Sequence, residues 1–109
     1  MTPTRATRLQ ADIEVEVLLP SGDIKALGRV RNLNQEGLLV EYANPLQVGE
    51  SVGVEFPETE ERGRMVVLGE VAWAEQDRAG VRVRGMVPHH RARFEKLLTL
   101  LQGGQTLLG

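Results

Sequence analysis

The sequence predicts an all-β fold: six antiparallel strands curled into a barrel and closed by one C-terminal α-helix. Three observations carry this reading. Short runs of alternating apolar and polar residues recur from Ile13 to Met86, separated by turn clusters. Beyond Pro88 the apolar residues change to helical spacing. Finally, a single helix cannot cover both faces of a flat sheet this large, so curling the sheet is the economical closure. The 109 residues are the size of one domain, and a chain of that length buries roughly two-thirds of its unfolded surface. It needs no disulfide or structural metal to hold a core.

The elements follow in order. Residues 1–10 are polar and carry Arg5 and Arg8, and they read as a flexible arm ahead of a domain spanning 11–102. Ile13, Val15, Val17 and Leu19 fall on one face of the first strand, with Glu14 and Glu16 on the other. Pro20-Ser21-Gly22-Asp23 is a turn, and Ile24 to Asn32 resumes an extended pattern. Gly28, inside that pattern, marks a bulge or a close approach of backbone. Asn34-Gln35-Glu36-Gly37 turns the chain into a third strand ending at Tyr42. A loop opened by Asn44-Pro45 leads to the alternation of Val52, Val54 and Phe56. A charged loop from Pro57 to Arg64 precedes a long strand over Met65 to Glu75, in which Val67, Gly69, Val71 and Trp73 share a face, which makes Trp73 a core or barrel-end residue. Gln76-Asp77-Arg78-Ala79-Gly80 reads as a hairpin turn, and Val81 to Met86 returns. A helix over about 88–102 starts with Pro88, whose missing N–H costs nothing in a first turn. Its stripe of His90, Phe94, Leu97, Leu98 and Leu101 faces the core, and Gly103-Gly104 ends it, leaving 103–109 as a tail. With Leu100 added, the four leucines exceed what one stripe needs, which leaves an oligomer contact as a second use for them.

Composition excludes most function classes. There is no Cys, so thiolate metal sites and thiol nucleophiles are absent together. The two histidines, His89 and His90, are adjacent and point about 100° apart on a helix, a poor chelate that reads as a surface pair. Ser21 and Ser51 stand in no nucleophile elbow, and no phosphate-cradling glycine loop occurs. No catalytic residue, metal or cofactor is expected; the chain reads as a binding module, not an enzyme. A net charge of −2 and 4% aromatics argue against a nucleic-acid partner. No apolar h-region follows Arg5 and Arg8, and no apolar run approaches the ~18 residues of a span. The expectation is a cytoplasmic protein with no membrane insertion.

Two features remain: the arm with Arg5 and Arg8, and the segment Asn32-Leu33-Asn34-Gln35-Glu36-Gly37. With Pro45-Leu46-Gln47-Val48-Gly49-Glu50, Gly69-Glu70-Val71-Ala72-Trp73 and Gly80-Val81-Arg82-Val83, their order and spacing resemble the PilZ domain over about residues 4–101. The resemblance implies a bacterial six-stranded split β-barrel that binds cyclic di-GMP, with ligand-binding residues Arg5, Arg8, Asn32, Asn34 and Gly37. It also implies a protein partner whose binding changes when the arm closes over the nucleotide. These residue types suit that ligand. Arg forks onto phosphate oxygens or guanine edges and stacks on bases. Asn offers a donor and an acceptor to a base edge. A glycine permits a tight turn and close backbone approach. Arg29 and Arg31, alternating toward the turn, either thicken an anion site or pair with Glu14 or Glu16. The arm, Arg5-Ala6-Thr7-Arg8, is one residue shorter than the family's Arg-x-x-x-Arg, and Asn34 stands where the family has Ser. These departures motivate a second expectation: a domain that binds no nucleotide and serves as a protein–protein adaptor in motility, pilus or envelope signalling.

Overall fold

The computed structural model describes residues 8–42, 46–57 and 63–103. It contains β1 (Leu9–Leu18), β2 (Ile24–Leu33), β3 (Gly37–Tyr42), β4 (Ser51–Phe56), β5 (Met65–Ala74), β6 (Arg78–Gly85) and α1 (Pro88–Gln102). The strands form a closed barrel in the order β1-β2-β3-β6-β5-β4, and every neighbouring pair is antiparallel. The six-stranded antiparallel barrel with one C-terminal helix is therefore the fold, as the alternation predicted.

The inward residues of each strand make one core. Val30, Val40, Val54, Val67 and Val71 are fully buried, and Phe56, Leu33 and Leu38 fill its larger volumes. α1 lies against β5 and β1. Phe94, Leu97 and Leu98 are buried, Leu101 packs on the core, and Leu100 is half-buried.

Close approaches rather than left-handed backbone explain several glycines. Among the described residues only Gly22 and Gly49 have positive φ, at 94° and 89°. A Cβ on Gly28 would lie 2.8 Å from the Glu41 carbonyl oxygen, and the β1–β2 and β2–β3 registers run through it unbroken. Gly28 is thus a close approach and not a bulge. Gly49 shapes the turn into β4. There the Glu50 carboxylate accepts the Gln47 N–H at 3.1 Å and pairs with Lys25, and the Gly49 N–H reaches the Val71 carbonyl at 2.8 Å.

Three expectations need correction. First, β1 begins at Leu9, not Ile13: Leu9 and Gln10 pair with Leu33 and Asn32. A register shift between Gln10 and Ile13 gives β1 an extra residue against β2, which hides the continuation of the strand from simple alternation. Second, Trp73 is 39% exposed. A second shift, between Val71 and Trp73, turns the indole to the outer face, where it lies on Gly80; a Cβ there would sit 2.1 Å from its Nε1. Gly80 consequently serves this packing and belongs to β6, while the hairpin turn is the shorter Gln76–Asp77 link closed by the Glu75 N–H on the Arg78 carbonyl at 2.8 Å. Third, only His89 of the histidine pair is exposed. His90 is 9% exposed, and its Nδ1 accepts the Val66 N–H at 3.3 Å, tying the start of α1 to β5.

That bond requires an unprotonated Nδ1. Burial holds the His90 imidazole below the ordinary histidine value, and the nearby His89, Arg93 and Arg64 act in the same direction. As pH falls, the unfolded chain takes up this proton before the folded one does. The stability from a neutral His90 is therefore present above the ordinary value and lost as pH drops below it. Melting temperatures between pH 8 and pH 5 should fall more for the wild type than for His90→Gln, which cannot titrate; parallel curves would show that His90 plays no part in this loss.

Candidate ligand-binding site

The site is assembled from the beginning of β1, the end of β2, the turn into β3 and the facing stretch of β6. β1 delivers Arg8, which is exposed, to the end of β2. Its Nη1 donates to the Asn32 side-chain oxygen at 3.0 Å. This bond holds the guanidinium over the outer face of Gly37: a Cβ on Gly37 would be 3.5 Å and 3.9 Å from its two terminal nitrogens. The same Cβ would lie 3.0 Å from the Val81 carbonyl oxygen. Gly37 does not have a positive φ. Its role is to leave the strand surface bare beneath Arg8, not to supply the turn's backbone conformation.

Asn34 makes that turn. It is 7% exposed, and its side-chain oxygen accepts the N–H groups of Glu36 at 2.8 Å and Gly37 at 2.9 Å. The Asn34 N–H closes the turn on the Gly37 carbonyl at 2.9 Å. This is an Asx-type turn, in which a short amide side chain replaces backbone acceptors. The amide oxygen expected to meet a base edge is thus committed to the protein's own backbone, and Asn34 positions Gly37. The Val83 N–H on the Glu36 carbonyl, at 2.8 Å, lays the turn against β6.

The structure therefore brings Arg8, Asn32 and Gly37 into contact and puts Asn34 behind them; Arg5 lies outside the described residues. Arg29 and Arg31 do not join them. Arg29 pairs with Asp12 at 2.7 Å and stands 4.0 Å from Glu14; Arg31 pairs with Asp12 at 3.1 Å and Glu41 at 3.1 Å. The Arg29 hydrogen bond is the main reason the Asp12 carboxyl sits below the usual carboxylate range. This exposed network neutralises the charge that would have thickened an anion site.

Two outer-face residues near the site were not identified from the sequence. Trp73, lying on Gly80, is one pleat along β6 from Arg82, about 7 Å away. Leu39 is the cross-strand partner of Gly80. The indole thus offers a half-exposed ring plane over Gly80, on the same outer face as Gly37. Its bulge was the missing signal, because alternation alone placed it inside. A groove of about 660 Å³ on another part of the barrel includes Glu14, Glu16, Leu27, Glu55 and Arg64. Its acidic lining does not suit an anion, and it contains none of the site residues. No cluster of metal-ligating side chains occurs among the described residues, and none of the helices described is long and apolar enough to cross a membrane.

Comparison with known families places this geometry. The PilZ domain model matches residues 4–100. The chain belongs to the PilZ family. Its members are regulatory binding domains, in a family of cyclic di-GMP receptors, and not enzymes. The crystal structure of a PilZ domain of CeSA from a cellulose-synthesizing bacterium superposes with a TM-score of 0.70. It is 18% identical and covers 89% of this chain and 99% of its own, so the likeness is one of fold. No curated protein sequence matches this PilZ domain.

The Asx turn makes a direct prediction. Asn34→Ala removes a buried acceptor from two N–H groups and should destabilise the domain by about 1–3 kcal/mol. Asn34→Ser, whose hydroxyl forms a weaker version of the same turn, should lose less. Urea midpoints at constant slope would measure both, and an Asn34→Ala midpoint equal to wild type would contradict the role.

Proposed function

We propose that this PilZ domain is a cytoplasmic receptor for cyclic di-GMP, in which the Arg-bearing segment ahead of β1 closes over the nucleotide and changes the binding of a protein partner. The observation that carries the reading is the Arg8 guanidinium, held by Asn32 over the bare face of Gly37. The ligand offers two phosphodiester charges and two guanines. A guanidinium has five N–H donors, and the bond to Asn32 uses one of them, which supports a role for the others at phosphate oxygens or a guanine edge. Gly37 lets that guanidinium lie close against the strand, Arg5 adds a second cation from the arm, and Asn34 makes the turn that fixes the floor. Trp73 adds a ring plane on the same face, suited to stacking.

One observation favours a second reading. The Asn34 oxygen is occupied by the turn, and the arm is one residue short of the family pattern. Both fit a PilZ domain that has lost the nucleotide and acts as a protein–protein adaptor in motility, pilus or envelope signalling.

Isothermal titration separates the two. Cyclic di-GMP should bind saturably and change Trp73 fluorescence, and Arg8→Ala should weaken binding roughly 30- to 150-fold, the effect of losing one charged contact. No heat and no thermal shift at millimolar nucleotide, together with partner capture indifferent to it, would leave the adaptor reading in its place.

A further inference from the structure

β6 presents a second guanidinium to the same surface. Arg82 is the register partner of Gly37 across the β3–β6 ladder. Residues directly opposite in an antiparallel pair project from the same face. Its neighbours Val81 and Val83 point inward, the first 2% exposed and the second half-buried, so Arg82 emerges on the outer face. The Arg8 guanidinium covers that face of Gly37 from the other side.

Arg82 also differs from the other strand arginines in its electrostatics. Arg29, Arg31, Arg78 and Arg84 each have a carboxylate partner within 4.0 Å. Arg82 is exposed and has none among the described residues. The nearest candidate by register is Glu70, its cross-strand partner on β5. Glu70 instead binds Arg84 diagonally, at 3.0 Å. Among the described residues, the barrel thus leaves one strand arginine without a counter-charge, at the position facing Gly37. Arg8 has no carboxylate partner among the described residues either. Two guanidinium groups on one patch repel unless an anion lies between them.

We propose that Arg82 is an anion-binding residue of this site, holding a phosphodiester of the nucleotide from the β6 side while Arg8 holds it from the β1 side. This rests on the cyclic di-GMP reading and assigns it a second fixed cation within the barrel itself. Arg82 is anchored on a paired strand, so it offers its charge without an ordering cost for the backbone. In a domain whose arm is one residue short, it supplies charge that does not depend on where the arm lies.

The test is titration of cyclic di-GMP into wild type, Arg82→Ala, Arg82→Lys and Arg78→Ala, with circular dichroism and melting temperature confirming that each is folded. Arg82→Ala should weaken binding roughly 10- to 100-fold. Arg82→Lys should keep most of the affinity, because an ammonium still meets a phosphate as a point charge. Arg78→Ala should bind like wild type, because that residue is engaged with Glu75 at the start of β6 and its loss frees no carboxylate opposite Arg82. Repeating the titrations over a salt series should give Arg82→Ala a shallower dependence of affinity on salt. If wild type binds and Arg82→Ala stays within twofold of it, the assignment of Arg82 fails while the receptor reading stands. If wild type does not bind, both fail.

Discussion

The barrel's closure is the constraint on which the rest of this molecule depends. β1 pairs with β4 through only three register partners: Glu16 with Glu55, Val17 with Val54, and Leu18 with Gly53. The first pair sets like charges opposite each other, which is unfavourable on its own. The seam holds because Val17 and Val54, at 1% and 0% exposure, lock the inner faces together, and because closure leaves the sheet no open edge. β1 serves twice. Its second half seals the barrel against β4, and its beginning carries Arg8 onto the end of β2. The position of the cation over Gly37 is therefore set by the strand that closes the core.

Small departures from regular pairing then decide which side chains reach this outer surface. An extra residue in β1 lets the strand run on to Leu9 and bring Arg8 beside Asn32. An extra residue in β2 against β3 places Arg31 at the irregularity, where it joins Asp12 and Glu41 and is electrically silenced. An extra residue in β5 against β6 turns Trp73 outward. Each bulge re-aims a side chain while the inward alternation resumes on either side of it.

The segments that carry the family resemblance divide into two kinds. Gly49 and Glu50 build a turn, with the carboxylate capping the Gln47 N–H; the hydrogen bond from Lys25, then that from Gln47, hold Glu50 below the usual carboxylate range. Gly69 admits Val81, whose Cγ1 would lie 2.4 Å from a Cβ there, and Gly80 admits the Trp73 ring. These residues are architecture, fixing how β5 meets β6. Arg8 and Asn32 belong to the surface, and Gly37, buried beneath Arg8, admits the close approach of the Val81 carbonyl. Asn34 lies between: it is buried and structural, and its work is to present Gly37.

By itself, the sequence determined the strands, the helix and the barrel, because alternation and helical spacing record which face of each element must leave water. It also singled out Arg8, Asn32 and Gly37, through residue types and order that resemble a known family. Only the tertiary structure decided what each one does. That Gly37 is a bare strand surface rather than a turn glycine follows from Val81 and Arg8 approaching it from distant parts of the chain. That Asn34 bonds its own turn follows from a hydrogen-bond geometry its residue type merely permits. That Trp73 faces out, and that among the described residues Arg82 rather than Arg29 or Arg31 is left without a carboxylate, depends on bulges and on pairing between strands. Register and charge partnership are properties of two strands at once, and alternation along one strand carries no record of its neighbour.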